Sequence, residues 1–501
     1  MNHFLDRVSA RLLFVLLILG VGGAVFLVAW QGQQATPEAT LTAEVIAAAS
    51  SPTVLIIPTF TAIPTVTTTP TPGPSPTPSR TPLPTRIPTQ TPTAAPLVRP
   101  TLPSFEAYPG ALVTGTITTT LPIPTQVPTI NIPKDVINIL LLGKDATEAN
   151  HTDTLIIVSI NKETKTAAMV SIPRDLYVYV PGKVMARINT ALTLGGPQLL
   201  ADTILYNLGV PIDYWAQVDF NGFVQIVDAL DGIDMAVTCG FTDFRLISPE
   251  LDPLEEDSWA LFTLEQGIHH MDGDLALWYA RSRNSATGDD YGRGRRQQQL
   301  LRALFNKGLD LNLLPQVPSL YQTYRDTVET NIDIGAVLQL ASIAPQVRAN
   351  GIQNLYLRND VISYTTSGGA NVLLPNPETM PVTLARLFQP PILSQANRPA
   401  ITVEIINATG NEEMALLAAD NLAWYGFVPI VSDTTRPQQT ETTIRYYAEN
   451  FKASYDWLIS ELMDYPMSAI ELVTDTPYDN NYQITLGTDY DPCISQFYTG
   501  Q

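Results

Sequence analysis

Five arginines crowd into the stretch Tyr279–Gln299, YARSRNSATGDDYGRGRRQQQ, of a chain whose formal net charge is −20. Arg281, Arg283, Arg293, Arg295 and Arg296 stand there among Asp289, Asp290 and three glycines. A guanidinium is a planar fork of donors that matches phosphate oxygens in bidentate fashion, so a bound phosphate or pyrophosphate is the chemistry this composition suits. A structural network of arginine–aspartate pairs is the alternative. An extended chain over Arg281–Arg283 would place both guanidinium groups on one face. A helix starting near Gly292 would carry Leu300, Leu301 and Leu304 as its apolar stripe. Arg293, Arg296 and Gln297 would then project within about 60° of Leu300, and Arg295 and Arg302 to the far side, with Arg295 in solvent. The N-terminus of that helix adds free N–H groups for an anion, and Asp290 is placed to cap it or to hold an arginine.

The remaining charges fall at strand ends: Gly143-Lys144-Asp145, Thr152-Asp153-Thr154 and Pro173-Arg174-Asp175. If the strands flanking residues 145–153 pair antiparallel, Asp145 and Asp153 reach the same end of a sheet. Two such carboxylates suit Mg²⁺, which takes one or two of them together with phosphate oxygens. Read as turn residues, the same aspartates need no metal.

The elements that must position these groups alternate in type. Val136–Leu142, Thr154–Ile160, Thr166–Ile172, Tyr214–Phe220 and Ile233–Val237 read as strands, with helices over Gly196–Leu208 and Asn221–Leu230. The fold class is therefore α/β, a layered α-β-α domain with a central mixed sheet over 134–390. A small C-terminal α/β domain follows over 399–490, opening on the strand Ile401–Ile406 and the helix Asn411–Tyr425. Leu12–Trp30 is nineteen residues without a charge, long enough for a transmembrane helix. Arg7 and Arg11 precede it, which keeps residues 1–11 cytoplasmic and places the folded domains outside the cell, the protein being a single-pass cell-membrane protein. About half of the 41 prolines lie in the Pro/Thr-rich segment that fills the gap to the first strand. It reads as a disordered stalk over 31–133. The acidic balance argues against nucleic acid as a partner. Cys239 and Cys493 fall in different domains, where a disulfide is possible but no spacing demands it. The four histidines and two cysteines show no zinc-ligand spacing, and neither a nucleophile elbow nor a P-loop occurs.

In order along the chain, INILLLGKD, TDTLIIVSIN, VSIPRD, RINTA, GGPQLL, GVPIDYWAQVDFNGFVQIVDALDGI, GDLALWYARSR and DYGRGRRQQQLLRAL resemble the LytR–CpsA–Psr family of envelope proteins. ITVEIINATG and YQITLGTDY resemble the C-terminal module often attached to that family. The resemblance implies a membrane-anchored, Mg²⁺-dependent phosphotransferase. It moves an anionic, teichoic-acid-like glycopolymer from a polyprenyl-pyrophosphate carrier to the peptidoglycan acceptor. Asp145 and Asp153 match its metal-associated aspartates, and Arg174 the arginine of its SIPRD motif. Arg281, Arg283, Asp290, Arg293 and Gln297 match its phosphate-binding set, and Arg187 stands where the family commonly has a lysine. Arg174, Asp153 and Arg293 would carry catalysis, with Asp153 or Asp175 accepting the proton of the attacking hydroxyl. Leu300, Leu301 and Leu304 would wall a tunnel for the lipid. His151-Thr152 replaces an arginine usual before the TDT motif, and Asn284–Asp289 lengthens the gap between Arg283 and Arg293; both bear on the polymer and the shape of its pocket. Two other functions fit the same residues: hydrolysis of a polyprenyl pyrophosphate, and a non-catalytic wall-binding scaffold.

Overall fold

The computed structural model describes residues 123–144, 152–248, 251–252, 254–283, 290–324, 327–389, 400–434, 436–447, 455–474 and 476–493. The membrane span expected over 12–30, most of the expected stalk, and Asp145 lie outside them. Among the described residues no helix is long and apolar enough to cross a membrane.

Six strands form the central sheet: β1 (Val136–Lys144), β2 (Thr152–Asn161), β3 (Thr166–Ser171), β4 (Tyr214–Asp219), β5 (Val328–Thr330) and β6 (Ile352–Tyr356). Their order is β5-β4-β1-β2-β3-β6. β1–β2, β2–β3 and β4–β5 pair antiparallel, whereas β1–β4 and β3–β6 pair parallel, so the sheet is mixed as expected. The near-continuous apolar runs VINILLL and TLIIVSI follow from burial on both faces. Ile137 and Ile139 join one core with helices α2 (Phe220–Ala229), α3 (Gly273–Arg281) and α4 (Asp290–Asp310). Leu140 and Leu142 join the opposite core with α1 (Thr190–Leu208). Period-two alternation thus builds three layers.

Two boundaries differ from expectation by more than three residues. Helix α1 starts six residues before Gly196, which turns out to be a break within it: Gly196 takes φ 74° and Pro197 restarts the coil. Glycine tolerates that positive φ without penalty. The stalk expected to run to residue 133 is already packed by its last residues. Val127 and Ile130 N–H donate to the carbonyls of Tyr206 and Gly209 (3.0 and 2.9 Å), and Ile130 and Ile132 pack on the α1-side core. Proline content alone does not reveal that two isoleucines have a docking surface.

The C-terminal domain has a five-stranded sheet, β7 (Thr402–Asn407), β8 (Val428–Val431), β9 (Thr443–Tyr447), β10 (Glu471–Val473) and β11 (Tyr482–Leu486), in the order β8-β7-β11-β9-β10. Helices α5 (Met414–Trp424) and α6 (Asp456–Met463) close a separate core around Val403, Ile405, Ile444 and Ile484. Cys239 and Cys493 form a disulfide that staples this domain to the first, across 254 residues of sequence.

Candidate functional site

One end of the central sheet gathers the charges. Lys144, at the end of β1, lies opposite Thr152 of β2 and Asp219 of β4, and Ser171 of β3 lies opposite Tyr356 of β6. Asp153, Arg174 and Tyr356 therefore meet where parallel strands finish and β2 begins. The first turns of α4 cross that end at close range. A Cβ on Gly294 would come within 3.3 Å of Ser171 Oγ, a close contact that a glycine there avoids. Gln298 Nε2 donates to Ser171 Oγ (2.8 Å) and to the Leu355 carbonyl (3.3 Å), pinning the helix there.

Between sheet end and helix lies a small pocket whose polar groups come from Asp153, Arg174, Arg293, Gln297 and Tyr356, set among Leu155, Ile172 and Leu373. Arg174 Nη1 donates to Asp153 Oδ1 (2.5 Å), and Arg283 Nη2 to Asp153 Oδ2 (3.4 Å). Burial alone would push the Asp153 carboxyl up, but the Arg174 hydrogen bond and the charges of Arg174, Arg293 and Arg283 hold it below the ordinary carboxylate value. A carboxylate so depressed is a poor proton acceptor and a persistent anion. Arg187 stands one step back. It pairs with Asp175 (2.8 Å), which lies 3.5 Å from Arg174 Nε. Arg187 thereby braces Arg174 instead of lining the pocket.

Beside that pocket opens an apolar cavity walled by Leu141, Ile156, Phe223, Leu277, Leu300 and Leu301. Arg281 lines it as well, its guanidinium 4.3 Å above the Phe220 ring. Gln297 lines both spaces and so marks where they join. Leu304 does not belong to either wall; it is fully buried in the core.

The structure brings Asp153, Arg174, Arg283, Arg293 and Gln297 together and sets Arg281 at the cavity mouth. Asp290 begins α4, and its side chain lies outside the described part of the structure, as does all of Asp145. Of the other two arginines, Arg296 lies on the interior side as its place on the wheel predicts, and Arg295 departs from expectation. Arg296 is buried; its Nε donates to the Tyr279 carbonyl (2.8 Å) and its Nη2 to the Ser282 carbonyl. It latches the end of α3, and with it the Arg281–Arg283 segment, to α4. Arg295 is only 6 % exposed, where solvent was expected. Its Nη2 donates to Asn421 Oδ1 (3.0 Å) and its guanidinium lies 4.9 Å from the Trp424 ring. The helical wheel gave the direction correctly, but the C-terminal domain, not water, lies that way. Sequence reasoning passed over Tyr356, Phe220 and Gln298. Gln298 had a signal, since a glutamine next to an apolar stripe must find a partner; Tyr356 had none.

For a magnesium ion, the described residues contain no group of three or more acidic, histidine or cysteine ligands. Asp153 alone fits: a half-exposed carboxylate kept anionic at the edge of the pocket, which is the hard oxygen donor Mg²⁺ takes in ones and twos.

A family profile described as the LytR_cpsA_psr family matches residues 114–382, and one described as LytR cell envelope-related transcriptional attenuator matches residues 400–490. The chain is 30% identical over 223 residues to the polyisoprenyl-teichoic acid–peptidoglycan teichoic acid transferase TagU of Bacillus licheniformis, covering 44% of this chain and 68% of that protein. It is 31% identical over 208 residues to the corresponding transferase TagT of Bacillus subtilis, covering 40% and 62%. The crystal structure of B. subtilis TagV aligns with a TM-score of 0.41 and 27% identity, over 51% of this chain and 98% of that one.

Proposed function

Because the chain belongs to the LytR–CpsA–Psr family, we propose that it transfers an anionic glycopolymer from a polyprenyl-pyrophosphate carrier to a hydroxyl of the cell-wall glycan. The observation that carries this reading is the junction at Gln297, where an arginine-lined polar pocket opens beside an apolar cavity. A pyrophosphate with a long hydrocarbon tail has that division of chemistry.

In the reaction, the acceptor hydroxyl oxygen attacks the phosphorus next to the sugar. The bond from that phosphorus to the bridging oxygen breaks, and polyprenyl phosphate leaves with the electron pair. Arg174 and Arg293 neutralise charge on the phosphate oxygens as it shifts toward the leaving group. Arg283, tied by its backbone N–H to Asp243 (3.1 Å), reaches Asp153 Oδ2 with its guanidinium (3.4 Å) and adds a third cation there. Gln297 holds the junction, and the apolar cavity takes the first isoprene units. Asp153 orients the arginines and would, with Asp145, hold a Mg²⁺ ion that would add positive charge at the phosphates. The Asp153 carboxylate, held below its ordinary value, is a weak acceptor for the hydroxyl proton. With Leu12–Trp30 read as a membrane span, this pocket would lie on the side of the membrane where wall glycan lies.

The test is a reconstituted reaction of the full chain with polyprenyl-pyrophosphate-linked glycopolymer, a peptidoglycan oligomer and Mg²⁺. A glycan–polymer phosphodiester with release of polyprenyl phosphate is the expected product pair. Free polymer phosphate alone would identify a hydrolase, and no turnover would leave a binding protein; either overturns the transferase.

A further inference from the structure

Part of the contact between the C-terminal domain and the first falls on two elements that line the polar pocket, β6 and α4. Trp424, at the end of α5 and 2 % exposed, stacks on Tyr356 with ring centroids 5.3 Å apart and planes 28° from parallel. Its carbonyl accepts Asn354 Nδ2 (2.9 Å). Both partners are on β6, and Tyr356 lines the pocket. The same indole lies 4.9 Å from the Arg295 guanidinium and 5.9 Å from that of Arg302, both on α4. One turn back on α5, Asp420 accepts from Gln299 Nε2 (2.7 Å) and pairs with Arg302. Asn421 accepts from Arg295 and donates to the Pro492 carbonyl (2.9 Å), beside the Cys493 that is bonded to Cys239.

The face of α4 that meets this domain carries Arg295, Gln299 and Arg302, all under a tenth exposed. Buried guanidinium groups and amides need their partners, so α4 is built to be completed by α5. Arg293 and Gln297 alternate with these residues along the same two turns. At 100° per residue, fixing Arg295 and Gln299 fixes where Arg293 and Gln297 aim. With side-chain tips about 5–6 Å from the axis, a 20° rotation of α4 moves them about 2 Å. A displacement of about 1 Å can cost a hundredfold where groups must be aligned for reaction.

We propose that the C-terminal domain is the back wall of the phosphate pocket and that Trp424 is a positioning residue, setting Tyr356 and the rotation of α4 so that Arg293 and Gln297 face Arg174. The inference rests on the reading of that pocket as a pyrophosphate site, and the test separates the two. Farnesyl pyrophosphate is titrated calorimetrically into the full chain and its W424A, W424F and L462A variants, with melting followed by circular dichroism. Leu462 lies in the C-terminal core, 1 % exposed and away from the interface, so L462A destabilises that domain without touching α4. W424A should bind about ten- to a hundredfold more weakly. W424F, which keeps a ring on Tyr356, should recover most of the affinity, and L462A should melt earlier yet bind as the unsubstituted chain does. W424A affinity within about twofold of the unsubstituted chain overturns the proposal, and so does equal weakening by L462A. If W424A does not fold, D420A carries the same expectation, since Asp420 directs its carboxylate at α4. An unsubstituted chain that fails to bind farnesyl pyrophosphate overturns the pyrophosphate site itself, and the positioning role with it.

Discussion

Arg296→Met tests whether a buried arginine, not a substrate-binding one, governs the position of the Arg281–Arg283 segment. Arg296 is 5 % exposed, with its Nε on the Tyr279 carbonyl at 2.8 Å, its Nη2 on the Ser282 carbonyl, and the Phe241 ring 5.0 Å from its guanidinium carbon. Methionine keeps most of the aliphatic stem, so little apolar packing is lost. Two carbonyls at the end of α3 lose a charged donor, at about 1–3 kcal/mol each. Part of that is offset because a guanidinium is no longer desolvated; burial is also what pulls its pKa below the ordinary arginine value. A net loss of about 2–4 kcal/mol follows, which for a domain of this size lowers the melting temperature by about 5–15 °C. Freed at Ser282, the chain carrying Arg281 and Arg283 should also move, weakening farnesyl pyrophosphate binding at temperatures where the variant is still folded. The measurements are circular-dichroism melts and calorimetric titration of the same preparations. A melting temperature within about 1 °C of the unsubstituted chain would refute the latch. A large drop with unchanged binding would refute its influence on the arginines.

Arg293→Lys retains charge but loses the fork, and should lower transfer about a hundredfold while the melting temperature moves little, read from initial rates and melts together. Asp153→Asn should flatten the acid limb of the stability profile. The Asp153 carboxyl is held below its ordinary value of 3.8, so its contribution is present above about pH 4 and is lost as pH falls through the folded value; the melting difference between variant and unsubstituted chain must shrink below about pH 4. Cys239→Ser with Cys493→Ser removes a bond that closes a long loop, costing about 2–5 kcal/mol, seen as earlier melting of the C-terminal domain that adding reductant to the unsubstituted chain reproduces.

The architecture was legible wherever local pattern and burial agree. Strands buried on both faces read as unbroken apolar runs, so VINILLL and TLIIVSI announce a covered sheet, and the charges just beyond them announce its working end. The pocket was legible for a related reason: Arg293 and Gln297 lie one turn apart on a helix whose leucine stripe fixes its orientation, which leaves them a single direction to point. Tyr356 and Phe220 were not legible, because an isolated aromatic on a strand end or a helix start has the same sequence signature whether it lines a pocket or fills a core.

Arg295 shows a more general failure. A wheel orders the side chains of α4 about its axis correctly but says nothing of what surrounds the helix. Opposite the leucine stripe, Arg295 and Arg302 look like a solvated face, as charged residues usually are. They are buried because residues 420–424, more than a hundred positions later, supply a carboxylate, an amide and an indole to receive them. The cue available beforehand was composition: three arginines within four residues in a chain of net charge −20 are more cations than one phosphate pocket needs. They divide by 100° steps into a clamp, Arg293; a latch, Arg296; and a joint to the second domain, Arg295. That division predicts three separable phenotypes, so substituting all three arginines must not give three grades of one defect. Uniform loss of phosphate binding alone, with stability and domain docking intact in every variant, would mean that the basic stretch is a single surface after all.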